Sequence, residues 1–531
     1  MNRAETRRPA ARRWATVTTV LTTATLALAG CTTGSGNASA PEGGASTDTI
    51  NTTFNADPTT FSPPQGRNAD DYMASRLLFD TLVRRGTDNS IVPNLASAWE
   101  VTPTRGVFTI GENGTCSDGT RITPTVVADS LRNFASPDTN SNFRELVFGP
   151  GKTTITADDE AGTVTIDVTE PWADMLQGLS MTATGIVCPD GLADPKGLNA
   201  GTADGAFSGP YALAEKQSGV KYAFKLREDY SSWPQYEPAI EGVPAATINA
   251  SVNANSSAVA NELLTGTRDI AIIRGKDMSR FDGQKGFTAE KFPIGSMFAL
   301  FNERQGSPFT DAEMRRSVAQ VVDRNAFSQA ATGGQGEPYY SFAHPSVPCA
   351  VTDASAVLPQ DPAAAAQALT GEKIKFLGTQ VFGPNGAANT YVSEAMRQAG
   401  ADVELRNVDL ATWSTDSQKP EKWDMTLMGA INAGGTMYGA LSVLIGPSTE
   451  NGGLNWTGNE NPELKALVAD AMAEEDEAKR CGIYNEIQRI VVEDAHAVPL
   501  GSLVAQTTAR EGFAVSVFNG QRDESTMRIT K

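Results

Sequence analysis

The sequence predicts an α/β protein of about three units of domain size. With 531 residues and roughly 150 residues per domain, the chain has the length for them. Short strand and helix patterns alternate in "TINASV", "NSSAVANELLTG" and "RDIAII", between Thr247 and Ile273. Such alternation is typical of α/β layering.

The middle of the chain, from Ser296 to Arg324, shows the clearest pair of elements. The apolar run Met297–Phe301 suits a strand that is buried on both faces. Thr310 followed by Glu313 then forms a capping box and predicts a helix start. The residues that follow share one apolar helix face: Met314, Val318, Val321 and Val322.

Residues 1–30 have the form of a lipoprotein signal peptide. Five arginines precede the apolar, Thr-rich run Ala15–Ala27, which is too short for a spanning helix. Leu28-Ala29-Gly30-Cys31 then matches a lipobox, so cleavage would leave the Cys31 thiol to carry lipid. The alternative is an ordinary signal peptide with a chance Cys. Two Arg-Arg pairs also allow twin-arginine export, although their surroundings fit that pattern poorly.

Residues 31–47 predict a flexible tether, and the chain after the signal peptide is acidic. The tether is rich in Gly, Ser, Thr and Ala, and buries too little apolar area to offset its ordering entropy. The whole chain carries −19, and its first thirty residues hold five Arg and one Glu, which leaves −23 for the rest. That balance argues against nucleic acid and anionic lipid as partners.

Motifs for catalysis and cofactor binding are missing from the sequence. It has two histidines, His344 and His496, and no HExxH, GxSxG, Walker loop or GxGxxG after a strand. Carboxylate clusters such as Asp158–Glu160 fit a solvated turn. We therefore expect no catalytic residues, no metal site and no cofactor. The alternative is a secreted, envelope-associated lipoprotein enzyme such as a hydrolase.

Several stretches resemble family 5 solute-binding proteins of ABC importers, the oligopeptide, dipeptide and nickel binders. They include the order Phe79-Asp80-Thr81-Leu82, Val92–Ala96 and Ser117–Thr120 near the N-terminus. Ser208-Gly209-Pro210-Tyr211 matches the family's "G-P-Y" strand. The segment "FALFNERQGSPFTDAEMRRSVAQVVDRNAF" resembles the crossing between lobes, and the resemblance covers nearly all of the mature chain.

The resemblance implies a two-lobe, periplasmic-binding-protein-like α/β fold of class II, with an extra subdomain in lobe I. The expected boundaries are 48–300 for lobe I, about 96–205 for its extra subdomain, 301–499 for lobe II and 500–531 for a return to lobe I. The crossings are expected near Phe298–Asn302 and Val498–Leu503.

The implied function is solute capture for an ABC import system. A lipid-anchored, extracytoplasmic monomer would hold a solute between its lobes and deliver it to permease subunits in the cell membrane. An oligopeptide or peptide-like solute is the first expectation. Relatives that carry metal chelates, glutathione, haem or sugars keep a non-peptide solute open, because fold does not fix function.

One departure from the peptide binders concerns the ligand. Their strand after the second-lobe helix carries a Trp and, three residues on, an Asp that pairs with the peptide ammonium, whereas this chain has Ala430 and Ala433. Either another carboxylate, Asp70 or Asp71, replaces that anchor, or the ligand lacks a free amino terminus. The expected ligand-binding residues are Asn68, Asp70, Asp71, Phe298, Asn302, Trp413, Met428, Asn432, Gly434 and Gly435.

Four cysteines remain if Cys31 is lipidated, an even number in a chain exported to an oxidising compartment. Three pairings are possible, and buried free thiols are the alternative. With the lobes that the resemblance implies, we predict Cys116–Cys188 and Cys349–Cys481, since each pair lies within one lobe and leaves the hinge free.

Lipidation predicts that Cys31→Ser releases the mature protein from membranes, because the thiol that carries the lipid is lost. Fractionation of cells that express each form measures this. Equal membrane retention of the variant and the wild type would show that the anchor assignment is wrong.

Overall fold

The structure is a computed structural model that describes residues 48–531 apart from 87, 452 and 519. The predicted signal peptide (1–30), the lipidation site Cys31 and the tether (31–47) lie outside the described residues. Within the described residues, no helix combines the length and apolar character needed to cross a membrane.

Nineteen strands lie in the described part of the chain. They are β1 (Thr49–Phe54), β2 (Val83–Arg85), β3 (Ile91–Pro93), β4 (Ala96–Thr102), β5 (Arg105–Ile110), β6 (Thr153–Asp158), β7 (Thr163–Val168), β8 (Tyr211–Gln217), β9 (Lys221–Leu226), β10 (Val243–Pro244), β11 (Thr247–Val252), β12 (Ile270–Ile273), β13 (Phe287–Phe301), β14 (Lys373–Thr379), β15 (Asp402–Val408), β16 (Met425–Ala430), β17 (Ala497–Arg510), β18 (Phe513–Phe518) and β19 (Gln521–Ile529).

Fifteen α-helices lie in the same residues. They are α1 (Ala69–Leu78), α2 (Pro124–Ala135), α3 (Arg144–Phe148), α4 (Met175–Gly178), α5 (Pro189–Ala193), α6 (Pro195–Ala200), α7 (Ser256–Thr265), α8 (Ala312–Val321), α9 (Arg324–Thr332), α10 (Pro362–Leu369), α11 (Ala387–Gln398), α12 (Leu410–Asp416), α13 (Met437–Leu441), α14 (Pro462–Ala473) and α15 (Glu477–Glu493).

Two long strands run through both halves of the molecule. β13 has 15 residues and β17 has 14, and they pair antiparallel with register shifts after Pro293 and Met297. They form the middle of a six-stranded sheet of order β12-β17-β13-β16-β14-β15. β12 pairs with β17 at one end, whereas β16 pairs with β13 at the other. The apolar run Met297–Phe301 is therefore one end of a strand that begins at Phe287.

The first lobe surrounds the N-terminal end of β13. Its main sheet has the order β1-β11-β9-β8, with β1 and β11 parallel, and a second sheet has the order β10-β19-β18. Helix α1 packs on this lobe, and the shared core includes Phe54, Leu77, Tyr211, Phe224 and Met527. The C-terminal strands thus belong to the same core as the N-terminal ones.

A separate antiparallel sheet of order β4-β5-β7-β6 lies between residues 96 and 168. It contains a hairpin over Thr153–Val168, formed by β6 and β7, whose Thr/Ile/Val-rich runs on either side of a turn are typical of paired strands. Helix α2 begins at Pro124 after Thr123, whose hydroxyl caps the Val126 N–H at 3.4 Å. A Thr cap followed by Pro at the first helical position is a helix start that the sequence alone indicates.

The second lobe contains the other end of the six-stranded sheet. There β14 runs parallel to β15 and β16, and α8, α10 and α11 cover it. Phe301, Phe376, Val392 and Leu427 are among its buried side chains. Helix α11 spans Ala387–Gln398, and Ala388, Val392 and Met396 form its buried face.

The cap of helix α8 corrects one sequence expectation. The N-cap is Asp311, whose carboxylate accepts from the Glu313 N–H at 2.9 Å, and not Thr310. Thr310 ends a preceding 3-10 turn instead, and its hydroxyl donates to the Ser307 carbonyl. The helix is also shorter than expected, because Val322 is extended and α9 begins at Arg324.

Two disulfides join the cysteine pairs expected from the sequence. Cys116 and Cys188 lie 6.0 Å apart between Cα atoms, and Cys349 and Cys481 lie 4.7 Å apart. The first bridge ties the segment before α2 to the start of α5. The second ties the loop before α10 to α15, so the two bridges constrain different parts of the chain.

Each bridge should stabilise the fold by restricting the unfolded chain. The bridges close separations of 72 and 132 residues, so replacing either pair by Ala should lower the free energy of unfolding by about 4 kcal/mol. Urea unfolding followed by Trp fluorescence measures the change. A loss below about 1 kcal/mol in both double variants would contradict this entropic account.

Candidate ligand-binding cleft

A cavity of about 100 Å³ lies where the two lobes face each other, beside the crossing strands. We call it the cleft cavity. Its wall comes from first-lobe segments and from the loop that follows β16. The apolar side chains that line it are Tyr72, Met73, Ile272, Phe292, Ile294, Ile431 and Phe518, and the charged ones are Arg76, Arg85, Arg274, Arg522, Asp523 and Glu524.

Helix α1 supplies one wall of the cleft cavity. Met73 and Tyr72 lie three and four residues before Arg76, so both share a helix face with it. Asn68 fixes the start of the helix, since its side-chain oxygen accepts from the N–H groups of Asp70 and Asp71 at 2.9 and 3.0 Å. The predicted residue Asn68 is thus the N-cap of the helix that carries the wall.

The predicted residues Asp70 and Asp71 are buried beside this helix start. Asp70 accepts from the N–H groups of Asn55 and Ala56, at 2.8 and 3.1 Å. Asp71 accepts from the Thr59 N–H at 2.6 Å. Burial raises the pKa of Asp70, and the two backbone N–H groups oppose that rise. In this conformation both carboxylates hold the preceding loop against α1.

A buried ionic cluster supports the cavity wall from behind. Asp523 on β19 accepts from the Tyr236 hydroxyl at 2.9 Å and from Arg84 at 3.4 Å, and its nearest oxygen lies 3.7 Å from Arg76 Nε. Burial alone would raise the pKa of Asp523, but the charges of Arg84 and Arg76 outweigh it and hold the pKa below its usual value. Asp523 is therefore ionised and fully engaged.

Arg522 and Glu524 form a second buried pair on the same strand. Arg522 Nε lies 2.8 Å from Glu524 Oε1, and their side chains are 1% and 2% exposed. Burial raises the pKa of Glu524, and the charge of Arg522 opposes the rise. Both residues line the cleft cavity, so the cavity wall carries buried charges.

One contact across the cleft involves a predicted site residue. Arg85, on β2 of the first lobe, donates from Nη2 to the Gly434 carbonyl in the loop after β16. The same nitrogen lies 3.4 Å from the Ser180 hydroxyl, and Nη1 donates to Asn89 at 2.5 Å. Arg85 also lines the cleft cavity, so a residue of the first lobe contacts the loop after β16 at this cavity.

Aromatic packing joins the lobes at a second place. The rings of Trp172 and Tyr438 meet edge to face with centroids 4.8 Å apart. The Tyr438 hydroxyl lies 3.2 Å from a Glu145 carboxylate oxygen, and the Ala173 N–H donates to the Met472 carbonyl at 3.1 Å. The structure is therefore in a conformation in which the lobes touch.

The loop after β16 holds the predicted residues Asn432, Gly434 and Gly435, which alternate with or follow the cavity-lining residues Ile431 and Ala433. Asn432 is engaged locally, since its amide donates to the Thr436 carbonyl at 2.8 Å. Gly435 adopts a left-handed φ of 60°, which favours glycine. Ala433, which stands where the peptide binders carry Asp, lines the cleft cavity.

None of the ten predicted ligand-binding residues is among the residues that line the cleft cavity, and four of them have contacts elsewhere. Phe298 is fully buried and packs edge to face on Phe342, and Met428 pairs with it across β13 and β16. Asn302 donates to the Pro420 and Trp423 carbonyls at 3.0 and 3.1 Å. Trp413 stacks on Trp456 with centroids 5.5 Å apart.

The arginines of the cavity wall were not among the predicted site residues. Arg76 could have been predicted as a site residue, because it shares a helix face with Ala69, Tyr72 and Met73. The sequence gives no such indication for Arg522, since its neighbours in β19 have the composition of a polar surface strand.

Among the described residues, no group of three or more His, Cys, Asp or Glu is placed to hold a metal.

Two lobes that share a pair of crossing strands and face each other across a lined cavity define a two-lobe solute-binding protein. The family model "Bacterial extracellular solute-binding proteins, family 5 Middle" matches residues 90–452. The chain belongs to this family. The predicted two-lobe α/β fold and the expectation of a binding protein, not an enzyme, are thereby confirmed.

Similar proteins include a substrate-binding protein from Microbacterium hydrocarbonoxydans, solved with 4-hydroxybenzoate hydrazide. It is 41% identical, with a TM-score of 0.81, over 91% of this chain and 100% of that one. The agropinic acid complex of AgaA from A. tumefaciens R10 is 21% identical, with a TM-score of 0.78, over 91% and 98%. The periplasmic murein peptide-binding protein MppA of Escherichia coli (strain K12) is 23% identical over 84% and 86%.

The Trp172–Tyr438 contact predicts that Tyr438→Ala favours the open form. The ring pair contributes roughly 0.5–1.5 kcal/mol beyond its buried area, so the ratio of open to closed protein should rise up to about tenfold. The radius of gyration from X-ray scattering should increase.

Two matched variants make this test specific. Tyr438→Phe keeps the ring and loses the contact to Glu145, so it should shift the radius less. Tyr391→Ala removes a second-lobe tyrosine that bonds to Asp323 within its own lobe, and should not shift it. An unchanged radius in Tyr438→Ala would contradict a closing role for this contact.

Proposed function

We propose that this protein captures a small solute between its lobes and delivers it to the permease of an ABC importer. A lipid on Cys31 would hold it at the outer face of the cell membrane, where it would work as a monomer. The observation that carries the proposal is the cleft cavity, because its wall combines residues of both lobes, Arg85 on one side and Ala433 on the other. A solute there would stabilise the closed form.

The volume of the cleft cavity favours a compact solute. An apolar cavity of roughly 150 Å³ is large enough for one benzene molecule, and this cavity measures about 100 Å³. An extended oligopeptide needs several times that space. A single ring, a short peptide-like molecule or a branched aliphatic group fits its scale, and the apolar side chains Tyr72, Phe292 and Phe518 offer matching surface.

The residue changes at the peptide anchor agree with that choice. Ala430 and Ala433 offer no carboxylate for a peptide ammonium. Asp70 and Asp71, the proposed substitutes, already accept backbone N–H groups, so using either would require the loop before α1 to rearrange. A peptide with a free amino terminus would thus face a large desolvation cost. We therefore favour a capped, modified or non-peptide solute over a plain peptide.

The ligands of related proteins support both a non-peptide solute and a modified peptide. The Microbacterium hydrocarbonoxydans protein, 41% identical, was solved with an aromatic hydrazide, which is a compact non-peptide. MppA is a murein peptide-binding protein, and murein peptides are modified peptides. The size of the cleft cavity favours a compact non-peptide solute for this chain.

The proposal predicts a solute-dependent change of shape. Protein purified from its own organism and examined by native mass spectrometry should retain a compact solute. After unfolding and refolding to remove that solute, the radius of gyration should increase, and it should fall again when the solute is returned. If saturating solute leaves the scattering of the solute-free protein unchanged, capture by closure is contradicted. If the protein retains a free-amino oligopeptide, the proposed size class is contradicted.

A further inference from the structure

Two arginines of the cleft cavity have buried nitrogen atoms without a partner. Nη1 and Nη2 of Arg522, and Nη1 of Arg76, make no hydrogen bond to any described residue. The Arg522 side chain is 1% exposed and that of Arg76 is 11% exposed. A buried guanidinium N–H without an acceptor costs free energy, so a bound group with acceptor atoms would stabilise this wall.

The charges that line the cleft cavity are unbalanced. Four arginines face two carboxylates, Asp523 and Glu524. Each of these carboxylates is already paired, Asp523 with Arg84 and Glu524 with Arg522. The lining therefore offers free cationic donors and has no carboxylate left for an ammonium group.

The arginines also lie close enough to repel one another. Burial lowers the pKa of Arg274; the charge of Asp70 opposes that shift, and the smaller effect of Arg522 adds to it. Burial likewise lowers the pKa of Arg85 to about 10; Asp174 opposes that shift and Arg76 adds to it. A negative charge in the cavity would relieve both pairs of like charges.

We infer that the solute is a small organic carboxylate, held through its carboxylate by Arg522 and Arg76 while its apolar body packs on Tyr72, Phe292 and Phe518. A carboxylate matches the fork of a guanidinium, which donates two parallel hydrogen bonds to it. The inference rests on the proposed function and adds the charge of the solute to it. It also explains why the ammonium anchor of the peptide binders is dispensable here: the recognised charge has the opposite sign.

Acid and amide probes test this inference directly. The probes are benzoate, phenylacetate and 4-methylpentanoate, each compared with its own amide, which has nearly the same shape and no charge. Calorimetric titration of solute-free wild-type protein should find at least one acid that binds about tenfold or more tightly than its amide. If no acid binds more tightly than its amide, the inference is wrong.

Variants then locate the site. Arg522→Gln alone would leave Glu524 buried and unpaired, so the double variant Arg522→Gln/Glu524→Gln is used, with its fold checked by circular dichroism. It should lose at least about tenfold in affinity for the acid and little for the amide. Arg522→Lys keeps the charge without the fork and should lose less. Unchanged affinity in a folded double variant would overturn the assignment to Arg522.

A control pair and a second readout separate the two proposals. Arg105 and Asp167 form an exposed ion pair, with side chains 56% and 42% exposed, on the separate sheet of the first lobe. Arg105→Gln/Asp167→Asn should leave acid binding within about twofold. If the natural solute proves neutral and lowers the radius of gyration in X-ray scattering, the carboxylate inference is overturned and solute capture still holds.

Discussion

The antiparallel pairing of β13 with β17 is the constraint on which the rest of the structure depends. One ladder contributes to the cores of both lobes, so neither lobe can be placed without the other.

The β13–β17 ladder is irregular after Pro293, where its register shifts. A Cβ on Gly295 would lie 2.2 Å from the Ala430 carbonyl oxygen, so only glycine fits this close approach. Phe292 and Ile294, on either side of the shift, line the cleft cavity. The irregularity in the ladder is therefore also what places apolar side chains at the ligand position.

Buried charges form the opposite wall, and their arrangement follows from the cost of desolvation. Asp523 is engaged by Arg84 and by the Tyr236 hydroxyl, and Arg84 also pairs with Asp80 at 3.0 Å. Removing one member would leave the others buried without a partner, which is far more costly than any single contact suggests. The cluster thus ties β2 to β19 although they are distant in sequence. The result is a rigid, charged surface whose outermost arginines still have donors to offer.

Local features of the sequence were predictable, whereas the charged wall was not. Helix α11, the Thr123-Pro124 helix start and the β6–β7 hairpin follow from spacing and turn residues within a few positions. The cap of α8 could not be predicted in this way, because Thr310 and Asp311 are both suitable N-cap residues. In the structure Thr310 ends a 3-10 turn and Asp311 caps α8. In β19, "QRDESTMRI" has the composition of a surface strand, yet every residue after Gln521 is buried. Asp523 is paired with Arg76 and Arg84 from the other end of the chain, and no local pattern encodes that.

Arg85 links the charge of the cavity to the closing of the lobes. Its guanidinium lines the cleft cavity and also donates to the Gly434 carbonyl in the opposite lobe. In this conformation Arg85 is buried near Arg76 of its own lobe; burial lowers its pKa to about 10, with the charge of Asp174 opposing that shift and the charge of Arg76 adding to it. An anion in the cavity offsets both effects in the closed form, where the guanidinium is dry, far more than in the open form, where water screens it. A neutral solute of the same shape gives the apolar contacts without this difference. Within the proposed function, the sign of the solute's charge therefore determines how strongly binding drives closure, and not merely how tightly the solute is held.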